Sequence, residues 1–161
     1  MAKLKYLVIH CTDTPEGREV SSDEIRHWHC DPKPKGRGWK QVGYTDMFHL
    51  NGGVERLVDN NEDAEVDPWE ITNGAAGYNS VSRHIVYVGG RENLPGVPFK
   101  DQKVKDTRTA AQKAAMEKYV KNFHRKHPDV RIIGHRQLNA SKSCPCFSVP
   151  RWLQQIGIKQ D

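Results

Sequence analysis

The chain has 161 residues, which suits a single domain with a sizeable core. Its 25 Lys and Arg against 20 Asp and Glu give a formal charge of +5, favouring anionic partners such as nucleic acid, acidic membranes or wall polymers. The basic residues are scattered without an arginine-rich arm or RNA-binding aromatic motif, and no stretch approaches the roughly 20 apolar residues of a membrane span, so neither nucleic-acid binding nor stable membrane insertion is expected.

The N-terminal "MAKLKYLVIHCTD" has basic residues and a short apolar run, but Lys5 interrupts it and His10 ends it before any cleavage-like site. It reads as a strand of the mature protein with His10 at a polar rim, not as a signal peptide, so synthesis in the cytoplasm is expected and any export would need outside help. "SSDEIRHWH" follows with a capping box, Ser21 to Glu24, and with Ile25 and Trp28 at helical spacing, Trp28 being expected in the core. His27, His29 and Cys30 lack a further partner and read as solvated or packed residues of the helix end, not as a second metal site.

"VGYTDMFHLNGGVERLV" gives two strand-like runs around Asn51-Gly52-Gly53, the residue types of a tight hairpin turn. Residues 59–76 are acidic and irregular and read as a surface loop, with Trp69 packed beneath it; "SRHIVYVGG" is the next strand, with glycine at its exit. Residues 91–106 read as another loop. "TRTAAQKAAMEKYVKNFHRKH" predicts the longest helix, with Ala111, Ala115, Met116, Tyr119, Val120 and Phe123 on its apolar face. "VRIIGH" is a short strand that again ends in histidine, and "VPRWLQQIGI" is a terminal helix with Pro150 in its first turn. The count favours an α/β domain with a mixed sheet covered by helices.

Two strands thus end in histidine, and if they are neighbours His10 and His135 converge at one sheet edge. Cys144, in "KSCPCF", is near enough in sequence for a loop to bring a third nitrogen or sulfur ligand, the number a catalytic zinc site takes from its protein. Spacing alone leaves the alternative of a satisfied edge histidine and a buried thiol ahead. Four cysteines in a chain this long make no disulfide framework. Cys11 alternates to the face opposite His10 and reads as a buried structural thiol.

In order, "VIHCTDT", "EIRHWH", "VGYTDMF", "GYNSVSRHIVYVGG" and "GHRQLNASKSCPCF" resemble the zinc-dependent N-acetylmuramoyl-L-alanine amidases, the family of phage amidase lysins and peptidoglycan recognition proteins. The resemblance spans most of the chain and implies one zinc amidase domain over residues 1–161. It implies one zinc ion held by His10, His135 and Cys144, with Cys146 a bystander. It also implies a peptidoglycan or muropeptide substrate, cleaved between N-acetylmuramic acid and the first L-alanine by zinc-activated water. Tyr44 then positions or deprotonates the water, and Lys142 stabilises the oxyanion. Tyr78 and Asn79 are candidate substrate contacts, and a monomer acting on the cell wall is expected. Where family members often place a histidine before "GYN" as a substrate contact, this chain has Gly74 and Ala75. A non-hydrolytic binding module of the same fold is the alternative; the presence of Cys144 and Tyr44 favours the enzyme.

Overall fold

A computed structural model describes residues 2–160. Its elements in chain order are β1 (Ala2–Lys3), β2 (Tyr6–Cys11), β3 (Thr14–Pro15), α1 (Ser22–Cys30), β4 (Asp46–Phe48), β5 (Val54–Arg56), β6 (Glu65–Val66), β7 (Ser82–Tyr87), β8 (Gly90–Arg91), α2 (Ala110–Lys126), β9 (Arg131–Gly134), α3 (His135–Leu138) and α4 (Val149–Gln155).

Residues 6–11, 82–87 and 131–134 form adjacent parallel strands covered on both faces, so that the polar Ser82, Arg83 and His84 are buried along with the apolar residues and only Arg131 is exposed. The main sheet has the order β5-β4-β7-β2-β9, with β5 antiparallel at one edge. On one face Leu7, Ile9, Ile85 and Tyr87 pack against Met116 and Val120 of α2 and Trp152 and Leu153 of α4. On the other, Met47, Val86 and Val88 pack against Ile25 of α1. Each fully buried side chain of this size contributes about 1.5–3 kcal/mol. The architecture is the expected α/β layering, a mixed sheet flanked by helices.

Local signals hold where expected. Ser21 and Glu24 cap α1 reciprocally, and Pro150 lies in the first turn of α4. The Asn51–Gly53 turn joins β4 to β5, and the Asn51 side chain accepts the Gly53 N–H. Gly52 has φ +84°, and a Cβ there would lie 2.8 Å from the Ala111 carbonyl, so the turn and the start of α2 approach as only glycine permits.

Three expectations change. Residues 59–76 are not merely a surface loop: β6 pairs with β1, and Glu70, buried, accepts the N–H groups of Asn61 and Asp67 and lies 3.7 Å from the Arg83 guanidinium. Trp69 is 53% exposed instead of packed beneath it. On α2, Ala111 faces solvent and Gln112 is completely buried in its place. The Gln112 Oε1 accepts the Thr109 N–H in a second capping box, and Nε2 donates to the carbonyls of Phe48 and Val88, where β4 and β7 run out. A polar residue wins this buried position because it donates to the Val88 carbonyl just past the end of β7 and adds a second donor to the Phe48 carbonyl, which already accepts the Val88 N–H. Gln112→Leu, close in size, takes its donor from the buried Val88 carbonyl and is expected to destabilise the fold by about 1–3 kcal/mol, read from chemical denaturation.

Candidate metal centre and cleft

His10 is the fifth residue of β2, and His135 follows the last residue of β9. The two strands pair with Ile9 opposite Gly134, so the next residue of each emerges side by side at the carboxyl end of the sheet, with ring centroids 4.7 Å apart. Cys144 reaches the same point from the loop after α3, its Sγ 3.7 Å from His10 Nδ1. One ligand atom from each of His10, His135 and Cys144 lies within 4.8 Å of the others. The three residues proposed from sequence therefore converge.

The site favours the ligating form of both histidines. Burial, followed by the neighbouring imidazoles of His84, His135 and His29, holds His10 well below the usual histidine range, so its ring is neutral at pH 7. Burial and then the Lys142 ammonium lower His135. The Cys11 backbone N–H donates to Cys144 Sγ at 3.2 Å and so fixes the sulfur beside His10. Two bare imidazole nitrogens and a sulfur are a donor set for a borderline-soft divalent metal ion.

Tyr44 stands over this cluster, its ring centroid 5.2 Å from those of both His10 and His29. Burial, then the nearby sulfurs of Cys144 and Cys11, push its hydroxyl well above the usual tyrosine value, so in the metal-free site it remains a hydrogen-bond donor. His29 is a packed residue, as expected, and it also holds the backbone beside it. Its Nδ1 accepts the Gly43 N–H at 2.9 Å and so anchors the segment that carries Tyr44. Burial lowers its pKa to about 4, with Arg37 adding to the effect. Lys142 is exposed at the rim of the same cleft.

The cleft has a volume of about 960 Å³. Its walls carry three arginines set over aromatic rings: Arg18 over Trp28, Arg37 over Trp39 and Arg91 over Phe99, at 5.9, 5.2 and 5.7 Å. Trp28 is thus a wall residue, 38% exposed, and not core. The helical spacing that placed it inward is the same on either side of a short helix whose far face borders a cleft. Tyr78 and Asn79 do not line the cleft. Tyr78 packs edge-on against Tyr6, and Asn79 points inward, accepting the Ala75 N–H and a hydrogen bond from the His84 ring.

His84 is a site-adjacent residue that the motifs do not single out. It lies in β7, wholly buried, with its Nδ1 2.8 Å from His10 Nε2. The one sequence signal is a histidine where the strand passes from the polar Ser82 and Arg83 to the apolar Ile85, Val86 and Tyr87. Cys146 sits beside the cluster without joining it, its Sγ 3.7 Å from that of the buried Cys11 and its backbone at φ +71°.

The model of the N-acetylmuramoyl-L-alanine amidase family matches residues 1–147. No curated protein matches the chain by sequence. Among solved structures, the endolysin of the Thermus scotoductus bacteriophage Ph2119 is 23% identical, with a TM-score of 0.68 over 99% of this chain and 88% of that one. The N-acetylmuramoyl-L-alanine amidase LysC of Clostridium intestinale is 16% identical, with a TM-score of 0.67 over 98% and 88%. A Drosophila PGRP-LB mutant in complex with tracheal cytotoxin is 17% identical, with a TM-score of 0.68 over 100% and 86%. At these identities the likeness is one of fold.

The two cysteines of "CPC" are predicted to behave unequally. With cobalt(II) as a spectroscopic probe, the parent and Cys146→Gly should both show a thiolate-to-metal charge-transfer band, and Cys144→Ser should not. Relief of the left-handed backbone should hold Cys146→Gly within about 1 kcal/mol of the parent in stability.

Proposed function

The chain belongs to the N-acetylmuramoyl-L-alanine amidase family, and from that premise we propose that it is a zinc-dependent peptidoglycan hydrolase, cleaving the amide between N-acetylmuramic acid and the L-alanine of the stem peptide. The observation that carries the reading is the convergence of His10, His135 and Cys144 at the floor of the wide cleft. Two histidines and one cysteine fit zinc, whose catalytic sites take three protein ligands and leave one position open. Zinc held there would lower the pKa of water toward about 7 and polarise the scissile carbonyl.

The chain's own groups supply the rest. His10 and His135 present neutral nitrogens, and the Cys11 amide fixes the Cys144 sulfur beside His10. Tyr44, protonated and anchored through His29, donates a hydrogen bond that orients the attacking water or the carbonyl oxygen. Lys142 brings a positive charge to the rim, where negative charge develops on that oxygen as the amide is attacked. Arg18 and Arg91 already pair with Glu24 and Asp13, so Arg37, set over Trp39, and Lys142 are the cleft cations to which a carboxylate on the ligand would pair. One such domain per chain, acting as a monomer on wall or muropeptide, is the reading we adopt. The retained thiol and Tyr44 favour hydrolysis over a non-hydrolytic binding module. No helix among the described residues is long and apolar enough to cross a membrane. A phage endolysin or a bacterial wall amidase both accord with these features.

Incubation with purified sacculi should release new alanine amino termini without new reducing sugar ends. A chelator should abolish the release and zinc restore it. Tyr44→Phe and Lys142→Met should each lower turnover by about 10²–10³-fold while binding zinc normally. Full activity in a folded Cys144→Ser protein, or release of reducing ends in place of amines, would sink the proposal. Comparing turnover on intact wall and on soluble muropeptides separates a lysin from a recycling enzyme.

A further inference from the structure

A metal-binding histidine must present an unprotonated nitrogen, and which nitrogen is bare depends on what the other one meets. His10 faces Cys144 with Nδ1 and faces inward with Nε2, which lies 2.8 Å from Nδ1 of His84. The position of the shared proton follows from an anchor two residues away. The Ala75 backbone N–H, which can only donate, lies 2.9 Å from Asn79 Oδ1 and so fixes that atom as the amide oxygen. His84 Nε2 lies 3.0 Å from the same oxygen and must therefore carry its proton. His84 is wholly buried and neither of its partners is a carboxylate, so its ring is neutral with one N–H, and its Nδ1 is an acceptor. The remaining hydrogen belongs to His10 Nε2, which leaves the Nδ1 lone pair of His10 facing Cys144 Sγ.

We propose that His84 is a positioning residue that, oriented by Asn79, fixes His10 in the Nε2–H tautomer and so presets it as an Nδ1 metal ligand. The space for this ring is made by Gly74: a Cβ at that position would lie 2.5 Å from His84 Nδ1 and 2.6 Å from Cγ. The relay is a histidine–histidine–asparagine chain of neutral groups, so the acceptor behind the metal ligand brings no negative charge into the site. The ligand role of His10 rests on the zinc reading above; the tautomer does not.

The two are tested separately in the full chain. Long-range proton–nitrogen NMR of the metal-free wild type at neutral pH should show His10 protonated at Nε2 and His84 protonated at Nε2. In His84→Leu, which has no acceptor, His10 should lose this single tautomer, and zinc affinity by chelator competition should fall about 10–100-fold. His84→Gln, whose side-chain oxygen can accept the same hydrogen bond, should recover most of both, which a role in packing alone would not predict. A wild-type His10 protonated at Nδ1 would overturn the relay without any variant having to fold. So would a His84→Leu protein with unchanged tautomer and zinc affinity. A wild type that binds no zinc but shows the Nε2–H tautomer would support the relay and refute the zinc reading.

Discussion

The parallel pairing of β2 with β9 is the constraint on which the site depends. With Ile9 opposite Gly134, the residues that follow are both histidines and both leave the sheet at its carboxyl edge. A slip of one residue would turn His10 to the opposite face, among the apolar side chains that α2 and α4 cover. Leu7 and Ile9 are completely buried on that face, and their loss from the core in a slipped register would cost several side chains' worth of burial, about 1.5–3 kcal/mol each. The hydrophobic core thus sets the register, and the register sets the distance between two polar residues that contribute little to the core themselves.

Burial then sets their chemistry. The imidazoles of His10, His29 and His84 lie close together, and among the described residues no carboxylate hydrogen-bonds to any of them. Burial is the largest cause that keeps each of them neutral, seconded by the neighbouring imidazoles for His10, by Arg37 for His29 and by His135 for His84, which is held at about 3. Neutral rings are acceptors or ligands, not cations. The positive charge near the site is carried instead by side chains on the cleft, Lys142 at the rim and the wall arginines, where water still solvates them. A neutral floor beneath a cationic rim suits a deep donor cluster serving an acidic or sugar-like ligand that approaches from outside.

Much of this was legible in the residues. The capping residues of α1, the Asn-Gly-Gly turn, the histidine-ended strands and the proline-started last helix depend on neighbours within a few positions, and each appears where its signal lies. The convergence of His10, His135 and Cys144 required knowing that β2 and β9 are adjacent, which no local pattern encodes; the ordered motifs carried that information. What escaped was set by contacts distant in sequence. Gln112 is buried because the Val88 carbonyl beyond β7 takes its donor from it, Trp28 is exposed because the helix borders a cleft, and Asn79 turns inward to accept from the His84 ring.

Gly74 and His84 show how such a contact alters the reading of a motif. On sequence alone, Gly74 before "GYN" stands where family members often place a histidine that contacts substrate. In the fold the same volume is filled from β7, by a ring whose atoms lie where a side chain at 74 would begin. Filling it from a strand has a physical consequence. A side chain on the loop would share the loop's freedom, whereas His84 is carried by a central strand paired on both sides, with Val8 opposite it in β2 and His10 two residues further along. The acceptor and the ligand it orients are therefore tied together by the same ladder of backbone hydrogen bonds, and their separation is as fixed as the sheet. The loop is left without a side chain at position 74, so the cleft can be wide there while the donor cluster beneath it stays rigid.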